Sequence, residues 1–327
     1  MRMFSMFTGI GGFEKGFEDV YGKDLEVVGF SEIDKYAISV YKYHYAGVKN
    51  YGNARNVKPG ELPEFDILTA GFPCQSFSIA GKRGGFEDTR GTLFFEIARI
   101  VAVKRPQLLL LENVKGLLSH DSGVTFGTIL ATLSGMGYVC EWQVLNSKDF
   151  GVPQNRERIF IVGHLGTFRK QTVFPIRKSY SEAEGIQRQE RKEGKRIPGE
   201  LHKAESGKER TEGGRERCEQ SGGAAENDLK LVGKLPTKYD QQSRIYSTEG
   251  ISSTLQTGEV GYYKTESNIR RLTPIECERL QGYPDNWTAE GTTGKISDSQ
   301  RYKMCGNSVT VNVIAAIAKA IKTTEAE

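Results

Sequence analysis

Over the first 165 residues, short apolar runs alternate with longer amphipathic stretches. The runs RMFSMF, LEVVGF, FDILTA, QLLLLEN, YVCEWQVL and RIFIVGHL have the length of strands and are bounded by polar or turn residues. Between them, the stretches opening at Gly12, Lys35, Thr92 and Val124 read as helices. Strands that alternate with helices pair in parallel through right-handed crossovers, which predicts an α/β protein with an open, mostly parallel, doubly wound sheet. Ligands of such sheets bind at the carboxyl ends of the strands. Near the end of the chain, GNSVTVNVIAAIAKAIK places Val309, Val313, Ile317 and Ile321 at i, i+4 spacing, with Asn307 or Ser308 available as the N-cap. Its apolar face is expected to pack back onto the first unit, which makes the large domain discontinuous in sequence.

The pattern breaks at residues 177–230, where almost half the positions are charged with both signs mixed and Tyr180 is the sole aromatic. A segment this polar cannot bury enough apolar surface to offset its ordering entropy, so it is expected to be a disordered insertion. A solvated linker and an arm that contacts nucleic-acid phosphates are both open for it. Beyond it, SRIYSTEGISSTLQTGEVGYY has turn residues between β-prone runs, which predicts a small β-rich unit.

Composition adds a few exclusions. At 37% hydrophobic and 26% charged, the 327 residues have an ordinary globular make-up. Every apolar run falls short of the roughly 20 residues a membrane span needs, and MRMFSMFTGIGG lacks the features of a signal peptide, so a cytoplasmic protein is expected. Five cysteines without a CxxC pair and four scattered histidines argue against a disulfide framework or a metal site. The net charge of +4 is compatible with a polyanionic partner without requiring one.

Two stretches carry candidate chemistry. In MFTGIGGFEKGFE the glycines follow the first strand and open a helix, where backbone passes close to a ligand. The dinucleotide pattern GxGxxG is not met, because Glu14 stands where the third glycine belongs, and an acid there repels a pyrophosphate. Glu32, about 20 residues on at the end of the second strand, can accept from ribose hydroxyls. Together they favour an adenosine-type ligand without phosphate, such as S-adenosylmethionine (AdoMet). The second stretch, AGFPCQSFS, places Cys74 just after an apolar strand, where a buried structural thiol is the simpler reading.

Taken together, FTGIGGF, SEIDKYA, GFPCQSFS, EDTRGTLFFEIARI, LENVKG, VPQNRERIFIVG, RRLTPIECERLQGYPDNW and GNSVTVNVIAAIA, in this order, closely resemble the DNA (cytosine-5) methyltransferase family. The resemblance spans nearly the whole chain outside the polar insertion. It implies a Rossmann-like AdoMet-dependent fold at residues 1–170 and 299–327, and a target recognition domain at 171–298. It also implies a reaction in which Cys74 adds to C6 of cytosine, so that C5 can accept a methyl group. Glu112, protonated, meets N3 and Arg158 meets O2, with Arg156 beside it positioning backbone or the neighbouring acid.

For the cofactor, and its product S-adenosylhomocysteine, the resemblance implies contacts from Phe7, Gly9, Gly11, Gly12, Glu32, Ile33, Asn53, Pro73, Gln75, Leu93, Asn307 and Ser308. Two positions depart from the family's usual pattern. Ser5 stands where an aspartate is common, and Asn53, after Gly52, replaces an aspartate that accepts from adenine N6. The Asn53 amide oxygen is expected to accept that bond without charge.

A stacked cytosine hides C6, so the base has to leave the duplex. The loop after Cys74 is expected to close on DNA with Lys82, Arg83 and Arg90 on phosphates. In the recognition region, Gln241, Arg244, Thr254 and Leu255 are the candidate DNA contacts, and the RRLTPIECERLQGYPDNW segment is expected to organise that region. Double-stranded DNA is the expected partner, bound by a monomer, in a restriction-modification or phage anti-restriction setting with a cognate endonuclease acting separately. Two alternatives stay open: an RNA (tRNA) cytosine-5 methyltransferase, and an inactive homologue that only binds DNA.

Overall fold

The computed structural model describes residues 1–73, 93–166, 172–176, 252–255, 262–264 and 269–325, together with the backbone of residues 231–234 and 244–247. All six early runs form strands: β1 (Arg2–Met6), β2 (Glu26–Ser31), β3 (Ile67–Gly71), β4 (Leu108–Val114), β5 (Tyr138–Asn146) and β6 (Glu157–Leu165). They make one sheet in the order β2-β1-β3-β4-β6-β5. The helices between them are α1 (Gly12–Tyr21), α2 (Lys35–His44), α3 (Leu93–Lys104) and α4 (Val124–Gly135). Asp34 sets the start of α2, its Oδ1 accepting from the amides of Tyr36 and Ala37.

The β1–β2, β1–β3 and β3–β4 pairs are parallel, whereas β6 runs antiparallel to both of its neighbours. A parallel return needs a long crossover, and between β5 and β6 the chain has only the short turn Ser147–Phe150 and a loop, so the two form a hairpin. The four leucines of β4 show why the central strands read as continuous apolar runs. Leu108 and Leu110 join a core with Phe13, Phe17 and Ile314, while Leu109 and Leu111 join one with Phe94, Ile97 and Ile129. Both faces of the sheet are covered, as buried parallel sheets require.

The C-terminal segment folds as α6 (Asp298–Asn307) and α7 (Val311–Glu325), which follow α5 (Pro274–Leu280). Val313, Ile317 and Ile321 are buried, and α7 packs on α1 so closely that a Cβ on Gly16 would sit 2.6 Å from Ile314. Asn307 instead ends α6, and Ser308 is extended, so neither residue caps α7 as the sequence suggested.

A second sheet, in the order β10-β9-β8-β7, joins β7 (Leu231–Lys234), β8 (Arg244–Ser247), β9 (Tyr262–Lys264) and β10 (Ile269–Arg271). The segment from Thr273 to Ile296, which includes the short hairpin β11 (Glu290–Gly291) and β12 (Gly294–Lys295), packs on the large unit, while Glu276 of α5 also pairs with Arg270 of β10. Trp287 stacks on His44 and donates from its indole to the Ile10 carbonyl at 3.0 Å, and Tyr283 shares a core with Ile10 and Val40. Tyr283, Trp287 and Ile296, which lie before residue 298, thus share a core with Ile10 and Val40 of the large unit.

Candidate active site

A cleft of about 510 Å³ opens at the carboxyl ends of β1, β2, β3 and β4. Its wall includes Phe7, Gly9, Glu32, Ile33, Asn53, Pro73 and Leu93, with Asn307 closing it from the C-terminal segment. Phe7 follows β1 with a φ of 54°, a left-handed conformation that non-glycine residues seldom adopt. Its amide donates to the Ser31 carbonyl at 2.8 Å, which holds the turn in place.

Glu32 is fixed by three backbone donors: Gly9 to Oε2 at 2.9 Å, and Ile33 and Asp34 to Oε1 at 2.7 and 2.9 Å. A carboxylate has about four lone-pair sites, so one remains for a hydroxyl in the cleft. Asn53 differs from expectation, because its Oδ1 accepts from the Arg55 amide at 3.1 Å and caps a short turn. Its acceptor is thus shared, while its NH2 group remains a donor.

Gly11 and Gly12 do not line the cleft. Gly11 has a φ of 87° and a Cβ there would meet the Tyr45 ring at 2.9 Å; on Gly12 it would meet Val309 at 2.6 Å and the Tyr283 hydroxyl at 2.7 Å. Both are spacers that let the start of α1 approach its neighbours. Ser308, also expected in the cofactor wall, is buried with its hydroxyl 2.6 Å from that of Tyr283. Only its neighbour Asn307 reaches the cleft.

The cleft extends past Pro73 to Glu112, Arg156 and Arg158. Arg158 Nε lies 3.0 Å from Glu112 Oε1, and its Nη1 donates to the Glu157 carbonyl. Burial pushes the Glu112 carboxyl above its ordinary range, against the pull of Arg158 and Arg156. The Asn113 side chain donates to the Phe72 carbonyl at 2.9 Å and so ties the end of β3, two residues before Cys74, to the strand that carries Glu112. Arg156 faces inward: it is 3% exposed and donates to the carbonyls of Leu255, Gly306 and Ser308. It holds backbone and touches no other catalytic side chain through those bonds.

Several expected residues lie outside the described ones: Cys74, Gln75, Lys82, Arg83, Arg90 and Gln241. Arg244 is on β8, paired in register with Lys234. Thr254 is half-buried, its hydroxyl donating to the Asn155 carbonyl. Leu255 is buried, its side chain packed against Cys277, Leu280 and Cys305.

Three residues in or beside the site escaped the sequence reading. Asn113 and Gln154 sit inside motifs already singled out, ENV and QNRER, which was the available signal. Lys303 lines the cleft and pairs with Asp34 at 2.6 Å, and nothing in its local sequence announces that.

With this geometry in place, comparison with known proteins decides the family: the model for C-5 cytosine-specific DNA methylase matches residues 1–323. The chain belongs to that family. It is a DNA (cytosine-5) methyltransferase with the corresponding α/β fold. The type II methyltransferase M.NgoBI of Neisseria gonorrhoeae is 41% identical over 97% of this chain and 92% of its own length. M.HhaI of Haemophilus parahaemolyticus is 37% identical over 97% and 93%. In fold, the methyltransferase resembles Dnmt2 of S. pombe, with a TM-score of 0.66 at 16% identity over 99% of both chains. A putative DNA modification methyltransferase encoded within an E. coli prophage gives a TM-score of 0.66 at 19% identity over the full length of both.

Proposed function

We propose that the enzyme methylates C5 of a cytosine flipped out of double-stranded DNA, at one short sequence, through a covalent adduct between Cys74 and C6. The observation that carries this reading is the Glu112–Arg158 pair at 3.0 Å, at the end of the cleft that begins at Glu32 and passes Pro73, the residue before Cys74 in sequence.

The cleft suits AdoMet. Its volume is that of a small-molecule site, and the acids Glu32 and Asp34 on its wall disfavour a phosphate while tolerating a sulfonium. Glu32 has a free lone pair for a ribose hydroxyl, Phe7 and Ile33 offer apolar surface to a base, and Asn53 offers an amide. When bound, AdoMet supplies an electrophilic methyl group and leaves as S-adenosylhomocysteine.

The residues of the chain do the rest. The Cys74 thiolate forms a bond to C6, and the ring electrons move toward N3 and O2. Glu112, whose carboxyl burial pushes upward against the pull of Arg158 and Arg156, donates a proton to N3, and the Arg158 guanidinium holds the charge at O2. C5, now electron-rich, takes the methyl group and N3 returns its proton to Glu112; the C5 proton then leaves to solvent water as the C6–S bond breaks, which restores the aromatic ring and the thiolate.

We further propose a monomeric, cytoplasmic enzyme in a restriction-modification setting, since the relatives above are named type II methyltransferases. The test is to incubate the protein with AdoMet and unmethylated plasmid and map 5-methylcytosine at base resolution. Methylation confined to one motif supports the proposal. Methyl transfer to a tRNA pool and not to duplex DNA overturns it.

A further inference from the structure

We propose that Gln154 is a positioning residue for sequence specificity: it locks the segment Ser252–Leu255 of the recognition region to the loop that leads into β6 and Arg158, so that a correctly read target is felt at the catalytic arginine. This rests on the function proposed above.

The carboxamide of Gln154 is fully buried, and its two ends hold two different parts of the chain. Nε2 donates to the Leu280 carbonyl at the end of α5 at 2.8 Å, and Oε1 accepts from the Leu255 amide at 3.1 Å. Around it the two segments run side by side as a parallel bridge between Gln154 and Ser252. The Asn155 amide donates to the Ser252 carbonyl at 2.9 Å, and the Ser252 amide donates to the Pro153 carbonyl at 2.7 Å. Arg156 Nη1 closes the contact on the Leu255 carbonyl at 3.1 Å.

On the far side, the Ser252 hydroxyl meets the Tyr263 hydroxyl on β9 of the small sheet. A continuous path of bonds thus runs from β9 through Ser252–Leu255 and Gln154 into the start of β6, where Arg158 lies. Glutamine suits the place because one side chain there has to donate and accept at once. An apolar residue of the same size would leave the Leu255 N–H and the Leu280 carbonyl buried without those partners.

The experiment measures methylated fractions by base-resolution mapping, at the enzyme's own motif and at sites differing from it by one base, for the wild type, Gln154→Met and Tyr263→Phe. AdoMet affinity is measured alongside by calorimetry. The expected result is a fall of about tenfold in the ratio of correct to one-base-off methylation in Gln154→Met, as for loss of one buried hydrogen bond, with a smaller fall in Tyr263→Phe and AdoMet affinity unchanged. Equal losses at both kinds of site, with the ratio unchanged, overturn the proposal, because they report only a less stable protein. If Gln154→Met does not fold, the ratio in Tyr263→Phe decides in the same way. A wild type that transfers no methyl group to DNA refutes the function itself, and the specificity role falls with it.

Discussion

Glu14 is buried completely beneath the glycine loop, in the first turn of α1. Its Oε1 accepts from the Tyr41 hydroxyl at 3.2 Å, while its Oε2 has no hydrogen-bond partner among the described residues. Desolvation raises its pKa to about 7 from an ordinary 4.5, with its own backbone N–H and the Tyr41 hydroxyl opposing the shift. The folded state therefore holds a proton that the unfolded chain has already released. Stability from this group is intact below pH 4.5 and is lost as pH rises toward 7. With those two values the linkage relation gives a loss of about 2–3 kcal/mol between pH 5 and pH 8.

Glu14→Gln removes the titration and keeps the acceptor facing Tyr41. Its new NH2 group adds a constant cost from an unpartnered donor, which shifts the curve without changing its slope. Urea unfolding of both proteins from pH 5 to pH 8 cancels every other titrating group in the difference. The expected outcome is that Glu14→Gln gains on the wild type steadily up to pH 7 and then levels off. Parallel pH profiles for the two proteins would refute the reasoning, since Glu14 would then be solvated or paired in the folded state.

Three further outcomes are expected. Glu112→Gln keeps a hydrogen bond to N3 but cannot supply a proton, so single-turnover methyl transfer should slow by at least about a hundredfold with AdoMet affinity unchanged. Asn53→Asp should tighten AdoMet binding by up to about tenfold in calorimetry, because a carboxylate can serve the Arg55 amide and the adenine at once and does so with charge. Gly12→Ala should lower stability by about 1–3 kcal/mol in thermal unfolding, as the added methyl meets Val309 and Tyr283 at under 3 Å.

The six strands of the large sheet and the helices α1 to α4 were legible because apolar runs buried on two faces, separated by amphipathic helices, leave a strong pattern. The reversal of β6 was not, since periodicity gives no direction. Family resemblance carried Glu112 and Arg158 to positions that the fold brings within hydrogen-bond reach. Gly9, Gly11 and Gly12 look alike in a sequence, and only their neighbours separate the one that donates to Glu32 from the two that make room for Tyr45, Tyr283 and Val309. The burial of the Leu255 and Ser308 side chains was not legible for a related reason: a motif identifies a position, but whether its side chain points into a cleft or a core depends on residues far away in sequence. The inward turn of Arg156, toward carbonyls of Leu255, Gly306 and Ser308, is likewise set by tertiary neighbours that no local spacing encodes.

The close seating of Gly16 of α1 on Ile314 of α7 also bears on how the enzyme is made. α1 leaves the ribosome roughly 300 residues before its packing partner, or about 15 to 60 seconds earlier at ordinary elongation rates. During that interval the apolar face of α1, with Phe13 and Phe17, lacks the surface that covers it in the finished protein. The wall containing Lys303, Met304 and Asn307 has not yet been synthesised for most of that time. The cofactor cleft, whose wall draws on residues from Phe7 to Asn307, thus stays incomplete until the later segment emerges, and the pace of translation sets how long a new copy waits before it can hold AdoMet.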